Sequence, residues 1–434
     1  MGYCKTFTTN LSVIFLCFLT SVCQPAKAQD WKAIWEQEHA RCFANGFDST
    51  AYANSNIVPV LEKAAEEGDA DAEMHLLYWK LYGGAEDDGE IFERLYRLAE
   101  KNVAFASFSL GMSYLHGDLR IYLASDDSVY SPEYLFSDAD KPKGIPYLQK
   151  AAEGGVPSAS ALLTRMYLGF DVDFDYNGVV EPDFDKAFYY AKLGADQGDA
   201  YSQHGLAVMF YHSNKDYPQT YVDEEKFKYW LRKSAENGYY LAQFWAGVFI
   251  AETNEARLYW FKKAASQGFE NAIESVAKQY LSMKEYDKVV KWCNEYLDQY
   301  PHLVNLGFSK YDALDKMGSK EEAIKCLDEL SDFILANPGI VSVKDIYHVA
   351  MNYDSAAKEE LNGRRQYNLH AKAIPLFTLA AEEGNAESML MLSYHYLLGW
   401  GTRINQSKAK IYCVAAAGKG DASAQEMCNR HNWY

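Results

Sequence analysis

The chain has 434 residues and a formal charge of −18 that is spread along its length. A surface this negative repels phosphate backbones, so nucleic acid is not an expected partner. Aromatic residues make up 15% of the chain, 34 of them tyrosines, which excludes a disordered polymer.

Residues 1–28 read as a secretory signal. Lys5 supplies a positive start, and Leu11 to Val22 is an apolar stretch too short to span a bilayer. Ala26-Lys27-Ala28 fits a small-x-small cleavage site, with Gln29 as the mature start. Cleavage there removes Lys5 and Lys27 and takes the charge from −18 to −20. The expected location is periplasmic or secreted. No later apolar run approaches about 18 residues, so no membrane span is expected. Residues 29–52 read as an N-terminal helical cap.

From residue 53 onward one phrase recurs: two small residues, a gap of two, a glycine, then Asp or Asn. It stands as Ala64-Ala65…Gly68-Asp69, Gly194-Ala195…Gly198-Asp199, Ala380-Ala381…Gly384-Asn385 and Ala416-Ala417…Gly420-Asp421. Looser copies end at Asn102, Gly155, Gly238 and Gly268. Such recurrence marks a helical solenoid. Four residues past each marker the residue is small: Ala72, Ala106, Ala159, Ser202, Ala242, Ala272, Ser388, Ala424. Eight past it is usually leucine, nine past often small (Gly111, Ala207, Gly247, Ala277, Ser393), and twelve past often aromatic (Tyr114, Tyr167, Phe210, Tyr280, Tyr396). These offsets share one helix face, whose small members let a neighbouring backbone approach.

A second helix precedes each marker. Asp140–Lys143, Asp183–Lys186, Asp223–Lys226 and the variant Asn405–Lys408 supply N-caps. The helix runs through Tyr, Trp and Phe and closes at the two small residues. The glycine takes the left-handed position beyond the end, and the following Asp or Asn caps the next first helix.

The run Leu-Gly-x-x-Tyr, a Gly-rich loop, Asp-x-x-Lys-Ala, aromatics and Ala-Ala-x-x-Gly-Asp-Ala resembles the Sel1-like repeat family, relatives of tetratricopeptide repeats. Its clearest copy is Leu392–Gly420, with Gly399-Trp400-Gly401, Lys408-Ala409 and Ala416-Ala417. The resemblance covers about residues 53–270 and 365–430. It implies an all-α fold, a right-handed α/α superhelical solenoid of helix-turn-helix repeats. Asp118–Asp138 is an insertion. Residues 271–345 look like tetratricopeptide units (Tyr280…Tyr286…Pro301, Tyr311…Ala323…Pro338), and residues 346–434 return to Sel1-like repeats and a cap helix.

Candidate chemistry is sparse. Asp173-x-Asp175-x-Asn177-Gly178 resembles an EF-hand calcium loop, but Phe184 stands where its bidentate glutamate belongs. Glu181 offers a replacement on a different loop path. Two readings stand: a Ca²⁺ site at Asp173, Asp175, Asn177 and Glu181, or a solvated acidic insertion in which Asp183 caps a helix. No other cofactor is expected. Ser275…Lys278 and Ser355…Lys358 have the Ser-x-x-Lys spacing of penicillin-recognising enzymes without the companion signatures. Cys413 and Cys428 flank Gly420 at seven and eight residues, so an antiparallel hairpin brings them level as a disulfide or as two core thiols. Cys293 and Cys326 occupy like positions in consecutive units, usually too far apart to bridge.

What remains is surface. First helices line the concave side of solenoids, where extended ligands bind. Variable positions there include His75, Tyr78, Arg165, Tyr201, Trp245 and Tyr394, either groove or the flank of a wide core stripe. The expected function is an exported non-catalytic scaffold for a protein, peptide or cell-wall ligand. The alternative, drawn from the resemblance, is a penicillin-binding or cell-wall hydrolase activity.

Overall fold

The computed structural model describes residues 28–43, 49–83, 87–125, 127–169, 178–211 and 222–434. It contains 22 α-helices among these residues and divides into two compact units, Met1–Gln197 and Gly198–Tyr434. Both are built from antiparallel helix pairs in the manner of a helical-repeat solenoid.

The first unit comprises α1 (Ala28–Phe43), α2 (Ser49–Ala53), α3 (Ile57–Glu66), α4 (Ala70–Gly83), α5 (Asp88–Glu100) and α6 (Ala104–His116). A hairpin of β1 (Asp118–Tyr122) and β2 (Ser128–Tyr134) follows, then a 3-10 turn, α7 (Lys141–Glu153), α8 (Pro157–Leu168) and α9 (Phe184–Asp196). The second unit runs through α10 (Ala200–Phe210), α11 (Glu224–Glu236), α12 (Tyr240–Phe249), α13 (Asn254–Ala265), α14 (Glu270–Ser282), α15 (Tyr286–Leu297), α16 (Val304–Lys316) and α17 (Lys320–Ala336). It ends with α18 (Val343–Glu359), α19 (Gly363–Glu382), α20 (Ala386–Leu398), α21 (Gln406–Gly418) and α22 (Ala422–His431).

The repeat phrase is a helix stop followed by a helix start. Every marker glycine has φ between +82° and +99°, and Asn102 stands at +64°. Around Gly68, Gly155, Gly198, Gly238 and Gly420 a Cβ would meet nothing within 4 Å. Backbone conformation, not crowding, therefore selects glycine there. The turn returns two amides to the helix end: Gly68 N donates to Ala65 O and Asp69 N to Ala64 O, and Gly420 and Asp421 repeat this on Ala417 and Ala416. The next residue then caps: Asp69, Asp199, Asn385 and Asp421 each accept the amide three residues on.

The seam positions are all internal. Ala72, Ala106, Ala159, Ser202, Ala242, Ala272, Ser388 and Ala424 are 0% exposed. Three of the twelfth-position aromatics stack on a tyrosine of the second helix: Tyr114 on Tyr147, Tyr167 on Tyr190, Tyr396 on Tyr412, with interplanar angles of 12°, 7° and 1°. The lysine of the Asp-x-x-Lys motif completes the stack. Lys186 Nζ lies 5.1 Å over Tyr167, Lys226 5.4 Å over Phe210 and Lys408 4.9 Å over Tyr396. The motif thus caps its own helix through Asp and covers the neighbour's ring through Lys.

Asp140 departs from this scheme. Its carboxylate accepts from Ser137 N and Oγ, closing the 3-10 turn Asp138–Asp140, and pairs with Lys143 at 2.6 Å. It does not cap α7 by its side chain. The insertion that precedes it supplies the two strands of the hairpin. Leu119, Ile121, Leu123 and Val129 of this hairpin join one buried cluster with Leu76, Trp79 and Leu110. Ser113 and Ser109 of α6 accept the amides of Arg120 and Tyr122 at 2.8 and 2.9 Å. Two helix serines thereby occupy an edge that would otherwise lack partners.

Candidate functional site

The first-helix faces of the two units differ. In the first unit α4 is buried nearly all round, from Ala72 and Met74 through Leu81. The cover is the chain itself: α1 lies on one flank and the β1–β2 hairpin packs on α4 and α6. Trp31 and Trp35 of α1 set their rings 4.9 and 4.7 Å from His75, and Trp35 lies 5.8 Å from Tyr78. Trp31 Nε1 donates to Asp69 at 2.9 Å, and Lys32 pairs with Asp71 at 2.6 Å. His75 and Tyr78 therefore do not line an open groove; they are core beneath α1. Sequence periodicity identified their helix face but not the distant segment that covers it. Burial pushes His75 down, so it sits there as a neutral ring.

In the second unit α10 and α12 keep one buried stripe and leave the opposite side partly open. On that side a row of rings forms. Tyr201 lies 5.5 Å from Tyr239, Tyr239 5.1 Å from His204, His204 5.9 Å from Trp245 and Trp245 5.4 Å from Phe249. Tyr211 closes on Trp245 and Phe249 at 6.0 and 5.3 Å. Tyr201, His204 and Trp245 are half-buried, and Phe249 is 38% exposed. His204 Nε2 is shut off from solvent and has no hydrogen-bond partner among the described residues. Burial pushes the imidazole down to about 4, so it is neutral at pH 7 and holds an unspent hydrogen-bonding atom within the row.

Beneath the row a polar ladder fixes the spacing of the repeats. Asn237 Nδ2 donates to Gly198 O and to Gln203 Oε1 at 3.2 and 2.9 Å. One repeat on, Gln267 Nε2 donates to Gly238 O and Gln243 Oε1 at 2.9 and 2.8 Å. The amide residues before Gly238 and Gly268 thus tie their repeats to the previous turn. The sequence carried this signal as an amide at that position, without showing what it reached.

The structure brings Tyr201 and Trp245 into one site and places the other expected residues elsewhere. Arg165 is half-buried on α8 in the first unit. Tyr394 stacks 6.4 Å from Trp400 near the C-terminus. His204, Tyr239 and Phe249 were not singled out by sequence. Asp173, Asp175 and Asn177 lie outside the described residues, and Glu181 is exposed.

The Ser-x-x-Lys pairs are not engaged. Ser275 Oγ donates to Asn271 O at 2.6 Å, and Lys278 pairs with Glu274 at 3.0 Å, so neither side chain faces the other. Ser355 and Lys358 are both exposed. Cys413 and Cys428 are fully buried thiols with their sulfurs 2.9 Å apart across the α21–α22 hairpin. Cys293 and Cys326 point to the carbonyls of Leu306 and Gly307. Burial pushes these two thiols up to about 12 and about 11. Among the described residues no helix is long and apolar enough to cross a membrane.

Comparison with known proteins gives a consistent result. The Sel1 repeat model matches residues 134–156, 166–199, 200–239, 258–269 and 386–421. No curated protein matches the sequence. A solved Sel1 repeat protein from Oxalobacter formigenes is 19% identical, with 96% of this chain and 97% of that one aligned and a TM-score of 0.41. A protective antigen of uropathogenic Escherichia coli displaying an SLR fold is 20% identical over 85% of this chain and 80% of that one, with a TM-score of 0.51. The matched segments, each closed by helix-stop glycines, show that this chain carries Sel1 repeats.

Proposed function

We propose that this protein is an exported, non-catalytic scaffold that holds an extended segment of a protein partner along the α10–α12 face. Sel1 and related repeats generally serve protein–protein interaction, which gives the class of function. The signal-like residues 1–28 support export to a periplasm or beyond.

The observation that carries the reading is the half-open ring row Tyr201–Tyr239–His204–Trp245–Phe249. Rigid aromatic rings give large contact area at low entropy cost, which suits them as anchors. His204 sits inside the row as a neutral ring between Tyr239 and Trp245, and its Nε2 is closed to solvent. In the first unit the α4 and α6 faces are already covered by α1 and the hairpin, and the ring row lies in the second unit, so binding is assigned there.

The test is affinity capture from a cell-envelope extract by the full mature chain, compared with Trp245→Ala and His204→Leu. Loss of an anchor of this kind costs about 1–3 kcal/mol, or roughly fivefold to 150-fold in affinity. A partner recovered equally by wild type and both variants would remove this face as the site.

A further inference from the structure

Helices α18, α19 and α20 converge on a carboxylate wholly out of solvent. Asp354 of α18 and His395 of α20 are 0% exposed, and His370 of α19 is 4% exposed. Asp354 Oδ1 lies 2.7 Å from His370 Nδ1, and Oδ2 lies 2.9 Å from His395 Nε2. The other nitrogen of His395, Nδ1, lies 2.8 Å from the carbonyl oxygen of Trp400.

Proton counting decides what this arrangement is. A backbone carbonyl only accepts, so His395 Nδ1 carries a proton. Nε2 faces a carboxylate oxygen, a second acceptor, and that contact also needs a proton between the two atoms. His370 needs only one, at Nδ1, to donate to Oδ1. With the carboxylate ionised, His395 holds a proton on each nitrogen.

We propose that Asp354, His370 and His395 form a charge-balanced clamp, with His395 as a buried imidazolium, that pins the Gly399–Gly401 loop of the C-terminal Sel1 repeat onto the α18–α19 pair. One anion and one cation cancel, and every facing atom has a hydrogen bond, the condition under which buried charge is tolerated. Burial raises the Asp354 carboxyl, but the bonds from His370 and His395 outweigh it and hold the group below the usual carboxylate range. That favours the ionised carboxylate over a neutral acid donating to His395.

The loop is shaped for the contact. The Trp400 indole stacks on the His370 ring at 5.2 Å and 10°. Gly401, at φ +66°, lies so close to His370 and Ala371 that a Cβ would run into their backbone. Gly399 and Trp400 donate their amides back to His395 O at 3.0 and 3.1 Å. Of the neighbouring titratable groups, Asp328 on α17 is engaged by Tyr353 and Lys372, and Tyr347 on α18 is pushed up chiefly by burial, with Asp354 a lesser cause.

The residue types are also those of a metal site, with ligand atoms within 4.8 Å of one another. Buried structural zinc takes four protein ligands, however, and a three-ligand site keeps a position open to water. Here three residues are sealed, and the two carboxylate oxygens are divided between two imidazoles. The geometry is that of proton bridges.

Selective ¹⁵N labelling of histidine in the full mature chain at pH 7 tests the assignment, with His370→Gln and His395→Gln to identify signals. His395 is expected to show two protonated nitrogens; an unprotonated Nε2 would overturn the clamp. In Asp354→Asn the amide can accept from His370 and donate to His395 once Nε2 gives up its proton. The expected result is a docked repeat with His395 converted to the neutral Nδ1–H tautomer; an unchanged His395 spectrum would overturn it too. In Asp354→Leu, amide exchange in α20 and residues 399–401 should accelerate by about tenfold or more while α12 is unaffected. Unchanged exchange there would refute the pinning role. Uptake of one equivalent of Zn²⁺ by the wild type, lost in His370→Gln, would replace the proton bridges with a metal centre.

Discussion

Gly247 offers a direct test of the repeat seam. It lies in α12, nine residues past Gly238, where it faces Phe261 of α13. A Cβ built there would stand 2.6 and 2.7 Å from two ring carbons of Phe261. Ordinary carbon contacts are about 3.5–4.0 Å, so the ring or the helix must yield by about 1 Å. Phe261 is 6% exposed and packed among Leu258, Ala264 and Ile273, so the ring has no free volume to enter. Overpacking of this kind costs about 1–3 kcal/mol. Replacing a mid-helix glycine by leucine returns up to about 1 kcal/mol of helix propensity. With most of that propensity gain realised, Gly247→Leu is expected to destabilise by up to about 2 kcal/mol net. A chain of two units need not unfold in one step, so the readout is amide exchange in α12 and α13 beside a thermal melt. Phe261→Leu should partly rescue the variant, with a coupling of about 0.5–2 kcal/mol in the double-mutant cycle. An additive cycle, or wild-type exchange in Gly247→Leu, would refute the close approach of α12 and α13.

Three further outcomes are expected. Asp69→Ala removes both the cap of α4 and the acceptor for Trp31 Nε1, so it should cost about 1 kcal/mol in α4 and speed proteolysis of α1; undisturbed α1 would mean that the indole contact does not anchor it. Oxidised protein mapped without reductant should link Cys413 to Cys428 and leave Cys293 and Cys326 free, since those two donate to carbonyls instead; free thiols at both 413 and 428 would exclude the cross-link. A carboxyl held low in the fold, as Asp354 is, contributes stability above its unfolded value near 3.9 and loses it as pH falls through the folded value. The α18–α20 region should accordingly lose exchange protection below about pH 4, and Asp354→Asn should flatten that dependence; equal acid sensitivity in both would count against the ion pair.

The helix pairs, the turns between them and the buried seam were legible because each is local. A left-handed glycine, a capping Asp or Asn and small residues at fixed offsets act within one helix and its next neighbour. Even the Cys413–Cys428 approach follows from counting residues either side of one turn. The lysine of Asp-x-x-Lys was legible as a motif, whereas its seat over the neighbouring ring was not.

What lay beyond the sequence depends on contacts between segments distant in the chain. His75 and Tyr78 have the pattern of groove residues, yet α1 covers one flank of their helix and the hairpin packs against another. Periodicity reports which face of a helix is apolar; it does not report which other segment lies on that face. His204 carried no motif, and its role in the ring row exists only because Tyr239 and Trp245 flank it. Asp354, His370 and His395 sit in three different helices with no shared spacing, and only the packing of α18, α19 and α20 turns a scattered carboxylate and two imidazoles into one hydrogen-bonded group. The sequence determined a stack of paired helices because their stops, caps and seams are short-range. The tertiary structure decided which faces stay open and which charges meet, because burial and pairing are set by neighbours that the chain brings from far away.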